Sequence, residues 1–430
     1  MLKIKLKREL GLGALVLAGV GTIIGAGIYA LIGVVAGLAG KGAWLSFLIA
    51  SVLAACTGLS YAELSSRFPK DAAEAFYTRK AFGKHLGFLV GLFTIMTGIV
   101  ASAAVALGFG GYLSAVTGIT TIEAGFFLLL LLTLIASWGI KQTALIVSVL
   151  SLAQICGLFL IAFLGLPRLD FSQFTTIDWA NWPGIMTGAA LIFFAYLGFE
   201  DMVKLSEEAK DPRRNMPKAI ILAIIITTIL YIMVIISAIS ILGPEALSQS
   251  PAPLATVASK ALGDTASLLI TVLALAATAS TTLLLIVATS RLMYGMSQEQ
   301  HDLPRFLAWI HPQLSTPLPA ILITTILALP LLMLGKIKLV AELTNFTIFI
   351  VFILINLAVI FLRYRLPRPP QGQVFLVPLS IGRLPIIPLI GGVFCLLLLF
   401  FLEKVVLIAG IFLLFVGMLI SYWHYLPRQR

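Results

Sequence analysis

Apolar residues in this chain come in long, nearly unbroken runs, and the polar residues gather in short clusters between them. A helix with no polar face is buried on every side or bathed in lipid, and crossing about 30 Å of hydrocarbon takes about 20 apolar residues. That ruler divides the chain into about twelve helices. The spans fall over 11–38, 42–66, 86–115, 124–140, 143–165, 183–205, 217–242, 266–297, 318–335, 338–362, 384–401 and 403–425. The expected fold is an all-α polytopic membrane protein.

Composition sharpens this expectation. Of 430 residues, 60% are hydrophobic and 11% charged, against about 25% charged in a soluble domain, which excludes a water-soluble enzyme. The charge that remains is ordered. With the N-terminus inside, connections on the cytoplasmic side hold 23 Lys and Arg and those outside hold six: Lys41, Arg168, Lys260, Lys336, Lys338 and Lys404. Basic residues near helix ends resist translocation, so an even number of spans with both termini cytoplasmic is expected. The N-terminal Lys3, Lys5, Lys7 and Arg8 precede an apolar stretch that runs on to about Ala39, an uncleaved first helix rather than a signal peptide.

The net charge of +11 lies in these scattered clusters and on no single face, so nucleic-acid binding is not expected. Cys56, Cys156 and Cys395 all lie inside apolar runs, where none is placed for an extracellular disulfide. Two segments outside the spans, 166–182 with Asp170, Asp178 and Trp179, and 243–265 with three prolines, fall on the external side as connectors or short surface helices. His85, His301, His311 and His424 sit at helix ends or in loops without metal-ligand spacing, and no nucleophile–base arrangement is legible, so neither a metal site nor a covalent step is expected.

Two spans break their own pattern. The first contains GVGTIIGAGIY, with Gly19, Gly21, Gly25 and Gly27 near mid-span. Each glycine costs a helix about 1 kcal/mol relative to alanine. Close helix packing explains small residues there, and so does an unwound segment. An unwound segment frees amides at the start of its second half to receive a carboxylate, and carbonyls at the end of its first half to receive an ammonium, a match to a zwitterionic amino acid. The sixth span contains FFAYLGFED, with Gly198 followed by Glu200 and Asp201. An ionisable group at that depth marks a cavity or a partner. Spans one and six each begin a block of five and run in opposite directions, the pattern of an inverted repeat whose site lies where the two breaks meet.

The motifs, taken in order, resemble the amino acid–polyamine–organocation superfamily, and within it the prokaryotic amino acid permeases. GTIIGAGIY looks like the family's glycine-rich substrate loop; FFAYLGFE and EEAKDPRRNMPKAI (207–220) look like its sixth helix and the loop after it. SRLMYGMSQEQHDLP (290–304), HPQLSTPLPA (311–320) and LPRPPQGQVFLVPL (366–379) continue the series, and the likeness runs from about residue 8 to 405. It implies a five-plus-five inverted-repeat core with discontinuous helices one and six: residues 1–165 as the first repeat, 166–362 as the second, and 363–430 as two added helices with the C-terminus. It also implies alternating access in a plasma membrane, the inner membrane in a Gram-negative host.

The resemblance assigns the substrate carboxylate to the amides of Gly25, Ala26 and Gly27 and its amino group to the carbonyls of Ile23, Phe194 and Leu197. Phe194 becomes an aromatic gate, and Thr97 and Ser102 face the substrate side chain. Where some members carry a coupling lysine in helix five, aligning GLFLIAFLG places Gln154, which does not titrate. Proton coupling then falls to Glu200, with Glu63 second, the latter also placed to pair with Arg67 or Lys70. Sodium coupling through Gln154, Ser280, Thr281 and helix-one carbonyls stays open, as does exchange. Glu207, Glu208, Lys210, Asp211, Arg213 and Arg214 form a charged loop that serves as a solvated surface or an inner gate, with Arg291 a further gate residue. The expected function is secondary active transport of neutral or broad-range amino acids, proton-coupled, with no cofactor beyond the coupling ion and no disulfide-linked subunit. Amino acid or amino acid/amine exchange, a cationic substrate, and a transport-dead sensor or channel are the alternatives.

Overall fold

A chain in hydrocarbon must satisfy each backbone N–H and C=O within its own segment, and the apolar runs do so as helices. The computed structural model describes residues 10–68, 73–138, 140–168, 178–203, 209–298, 302–314, 316–367 and 374–425. The helices, numbered in chain order, begin with α1 (Leu12–Ile23), α2 (Ala26–Ala39), α3 (Ala43–Arg67), α4 (Ala73–Phe82), α5 (Lys84–Thr117), α6 (Thr121–Trp138) and α7 (Ile140–Gly165). They continue with α8 (Trp182–Ile192), α9 (Pro212–Leu242), α10 (Pro244–Gln249), α11 (Pro253–Leu262) and α12 (Asp264–Gln298). The last are α13 (Leu318–Leu332), α14 (Ile337–Arg365), α15 (Ile386–Leu399) and α16 (Lys404–Tyr425), with a small hairpin, Ser380–Ile381 against Leu384–Pro385, before α15.

Among the described residues, eight helical stretches are long and apolar enough to cross a membrane: 26–67, 84–117, 121–138, 179–203, 212–242, 264–298, 337–365 and 404–425. Shorter apolar helices cover Leu12–Ile23, Gln154–Gly165 within α7, Leu318–Leu332 and Ile386–Leu399. The expected first span, 11–38, is two helices, α1 and α2, with Ile24 and Gly25 non-helical between them. The expected sixth, 183–205, keeps α-geometry only through Ile192 and then tightens into a 3₁₀ turn, Phe193–Tyr196. The segment 243–265 carries the short helices α10 and α11, opened by Gly243 (φ 82°), whose N–H closes α9 on the Ile239 carbonyl at 2.8 Å. Much of 166–182, including Asp170, lies outside the described residues.

Burial sorts the helices into interior and periphery. Over its most apolar stretch α5 is 83% buried, whereas α16 is 22% buried and turns Val405, Ile408, Phe412 and Phe415 outward. α5 packs on α12, α14 and α6, while α9 packs on α3 and α1, and α2 on α8. Around the breaks the two interrupted helices are buried against continuous ones, while α1 turns Leu17 outward. Cys56, Cys156 and Cys395 all lie within helices, and Cys156 is exposed.

Candidate functional site: the meeting of two helix breaks

The first break begins where α1 ends. The Ile24 amide closes α1 on the Val20 carbonyl at 2.8 Å, and the Gly25 amide turns back to the Ile23 carbonyl at 2.7 Å. α2 then starts with no cap from its own side chains. The first four amides of a helix lack partners within it and carry the positive end of its dipole. One of them, from Ala26, donates to the hydroxyl of Thr281 on α12 at 3.1 Å. A hydroxyl bond gives way to an anion more easily than a backbone ladder does.

The second break runs from Phe193 to Val203. Phe194 is buried in the 3₁₀ turn, Leu197 is half-buried, and Gly198 adopts φ 119°, which side chains rarely allow. Its amide donates 2.8 Å to the Glu200 carboxyl, so the acid closes the turn that precedes it. The two breaks touch through glycine. A methyl group on Gly27 would lie 2.6 Å from the Ala195 Cα, and one on Gly198 would lie 2.4 Å from the Thr22 carbonyl oxygen. Backbone meets backbone here at a separation that only glycine permits.

One side chain serves both breaks. The Tyr231 hydroxyl on α9, wholly buried, lies 3.1 Å from the Ile23 carbonyl and 3.0 Å from the Ala195 carbonyl, sharing its single proton between them. Its ring packs edge-on against Tyr196 and Phe47. Beside the first break, Tyr29 donates to the Gln154 backbone carbonyl at 2.5 Å, which seats α7 on α2. The Gln154 side chain is buried and its Oε1 has no hydrogen-bond partner among the described residues.

Comparison with known proteins places this arrangement in a family. The model for the family described as amino acid permease matches residues 10–423. The chain belongs to the amino acid permease family. It is 30% identical to the methylthioribose transporter of Bacillus subtilis (strain 168), over 97% of this chain and 93% of that one. It is 28% identical to the branched-chain amino acid permease BcaP of the same organism, with the same coverage. It is also 28% identical to the vacuolar cationic amino acid transporter 4 of Arabidopsis thaliana, over 87% of this chain and 65% of that one. These relatives are named as transporters and permeases.

The remaining residues singled out from the sequence fall into two groups around the permease's breaks. Ile23, Gly25, Ala26, Gly27, Phe194, Leu197, Glu200, Gln154 and Thr281 gather at or beside them. Ser280 instead bonds the Ala277 carbonyl of its own helix at 3.0 Å, and Ser102 the Ile99 carbonyl at 2.7 Å. Thr97 bonds the Phe93 carbonyl and the Thr347 hydroxyl, both at 2.8 Å, and so fastens α5 to α14. Arg291 lies exposed near the end of α12. Among the described residues no ion pair joins Lys210, Asp211, Arg213 and Arg214; Glu207 and Glu208 lie outside them.

Glu63 is buried far from both breaks in sequence, and its partner is neither Arg67 nor a break residue. Arg363 at the end of α14 grips both its oxygens, Nε to Oε1 at 2.8 Å and Nη2 to Oε2, while the Val377 amide donates to Oε2 at 2.8 Å. Arg67 reaches the Pro367 carbonyl at 3.2 Å instead, and Lys70 lies outside the described residues. Sequence reasoning missed Arg363 because it counted as one more basic residue in a connection. It missed Tyr231 too, whose one signal is a polar-tipped aromatic inside an apolar run.

Two outcomes follow from these contacts. Gly27→Ala forces the two breaks apart and is expected to abolish substrate binding, whereas Gly21→Ala, with nothing within 4 Å of its new methyl, leaves binding intact; ligand-induced change in intrinsic fluorescence of the purified protein reads both. Arg363→Ala strands a carboxylate whose side chain is 2% exposed, a change worth about 3–5 kcal/mol. It is expected to lower the unfolding midpoint in detergent markedly, and replacing both partners by leucine recovers most of the loss.

Proposed function

We propose that this permease carries amino acids across a plasma membrane by alternating access, with both termini cytoplasmic and the two breaks as its binding site. The observation that carries this reading is the glycine contact between the breaks, Gly27 on Ala195 and Gly198 on Thr22. That contact supports a site in which the amide-rich start of α2 supplies a positive end and the carbonyls of the second break a negative one, as a zwitterion needs. The α2 amides, Gly27 first, receive the carboxylate, and Thr281 releases the Ala26 amide as it arrives. The Phe194 and Leu197 carbonyls receive the amino group, joined by Ile23 when Tyr231 turns to Ala195. Phe194 closes over the bound substrate.

The repeats proposed are 1–165 and 166–362, with 363–430 as peripheral helices and the C-terminus. Orientation rests on the unequal share of Lys and Arg, 23 against six, between the two sets of connections. The proposed driving ion is the proton, with Glu200 as its acceptor. Protonation weakens a charge-assisted bond to the Gly198 amide, which links the proton directly to the geometry of the break. A second reading is favoured by the unpartnered Gln154 Oε1 together with the Thr281 hydroxyl: these oxygens suit a sodium ion beside the first break.

The relatives' names point to branched-chain and cationic amino acids and to methylthioribose. A neutral or broad range of amino acids is the proposed substrate here, because Ile23, Phe194 and Leu197 line the site with apolar side chains and Glu200 is occupied at the break.

Uptake into proteoliposomes tests this reading. Radiolabelled branched-chain, aromatic and cationic amino acids and methylthioribose are offered under a proton gradient, a sodium gradient, or internal substrate alone. Concentrative uptake of amino acids driven by protons is expected, and Glu200→Gln is expected to make uptake independent of external pH. Sodium-driven uptake moves the coupling site to Gln154 and Thr281, uptake driven only by internal substrate makes the protein an exchanger, and uptake of methylthioribose alone removes the amino acid assignment.

A further inference from the structure

The second break has loose carbonyls of its own. The Phe193 amide makes the last α-type bond, to the Ala189 carbonyl, and also turns back to the Leu191 carbonyl; beyond it the ladder tightens to 3₁₀. In a continuing α-helix the Ala190 and Leu191 carbonyls would accept from the amides of Phe194 and Ala195; where the helix tightens, Leu191 keeps only the turned-back Phe193 amide, and a donor from outside serves both carbonyls, since an unsatisfied carbonyl in hydrocarbon is costly.

That donor comes from across the bundle. Asn345 on α14 is wholly buried, and its Nδ2 donates to the Ala190 carbonyl at 2.6 Å and to the Leu191 carbonyl at 2.9 Å. Two carbonyls only accept, so the amide nitrogen must face them, and the orientation of the side chain is fixed by chemistry. Its Oδ1 has no partner among the described residues. Asn356 lies eleven residues on, about three turns along the same face, and differs instructively. Its Nδ2 bonds Thr57 at 3.2 Å and the Phe352 carbonyl at 2.9 Å, and its Oδ1 accepts from Ser60 at 2.6 Å. Asn356 ties two continuous helices together and is satisfied at both ends, whereas Asn345 gives both its protons to the rim of a break.

We infer that Asn345 is a positioning residue for the amino end of the substrate site: by capping Ala190 and Leu191 it fixes where α8 stops, and so where the Phe194 and Leu197 carbonyls stand. This rests on the amino acid reading of the site. Without the cap, α8 is free to extend or fray by a turn, and a carbonyl displaced by one residue no longer faces the ammonium. α8 and α14 pack on one another beyond this bond, and Phe193, just past the end of α8, lies against Phe349 at 5.0 Å, so the two stay in contact when it is removed.

Asn345→Leu, close in volume but without donors, tests this, with the smaller Asn345→Ala as a second variant should leucine misfold and Asn356→Leu as the control on the same helix face. Hydrogen–deuterium exchange of peptides over residues 190–200 reads the cap directly, whatever the substrate. Uptake of an amino acid, and its inhibition by the same compound lacking the α-amino group, reads the consequence. The Asn345 variants are expected to exchange faster over 190–200 and to raise the apparent KM roughly tenfold with Vmax per folded transporter held within about twofold. They are also expected to narrow the preference for the amino acid over its desamino analogue. Asn356→Leu lowers thermal stability and leaves that preference unchanged.

Unchanged exchange over 190–200 overturns the capping role. Faster exchange with wild-type KM and preference overturns the positioning role and leaves a merely structural bond. Failure of the amino acid reading itself shows separately, as absence of amino acid uptake by the unsubstituted protein.

Discussion

The structure depends on a backbone-to-backbone contact between two unwound stretches of helix. Gly27 sits against Ala195, and Gly198 against the Thr22 carbonyl, at separations no other residue allows. Unwinding in an apolar surrounding is expensive, because each freed N–H or C=O there must find a partner or remain unpaired. The chain meets this cost with single polar side chains drawn from the continuous helices around the breaks: Thr281 from α12, Tyr231 from α9 and Asn345 from α14. Each is attached to a helix that keeps its own ladder, so the supports are rigid where the supported segments are not. The irregular backbone of the two breaks is thus enclosed by protein.

The ion pairs are arranged around that centre and not within it. Glu63 with Arg363 joins α3 to α14 and to the segment before α15. Asp302, buried after α12, accepts from Arg79 of α4 and from Tyr425 at the end of α16. Lys338 links Glu342 on its own helix with Glu403 ahead of α16, at 3.7 and 2.6 Å. All three join helix ends across long stretches of sequence, where water is near enough to lower the desolvation cost of a charge. At the breaks, Glu200 accepts from the amide that turns the chain.

Much of this was legible in the sequence because hydrocarbon imposes a simple rule. Apolar runs of membrane length become helices, and the positions of α5, α9, α12 and α14 follow from hydropathy to within a few residues. The breaks were legible for a related reason: four glycines in one run and a Gly-x-Glu-Asp in another have no place in a lipid-facing helix. What the sequence hid is lateral. A threonine among four polar residues in the stretch Thr278 to Thr282 of α12, a tyrosine in an apolar run, an arginine counted as loop charge and an asparagine on α14 carry no mark of which neighbour they face. Ser280 and Thr281 are adjacent and chemically alike, yet one bonds its own helix and the other the start of α2, a difference set by 100° of helical rotation.

A site built from backbone has a consequence for what it selects. In the proposed site, amides at the start of α2 and carbonyls of the second break would receive the two charged groups shared by every α-amino acid, and they are placed by fold rather than by side-chain identity. The side chains that line the remainder, Phe194 and Leu197 among them, are then free to differ between relatives without disturbing the frame. Proteins 28–30% identical to this chain bear names as different as branched-chain and cationic amino acid transporters, a spread that such a frame would allow. The methylthioribose transporter, 30% identical, marks its limit, because a thio-sugar offers neither carboxylate nor ammonium. If the same frame served such a substrate, its freed amides and carbonyls would act as ordinary hydrogen-bonding groups. On that reading the ionisable groups at the ends of the site separate a zwitterion carrier from a neutral one, and at this chain's second break Glu200 is held by the amide that turns the chain.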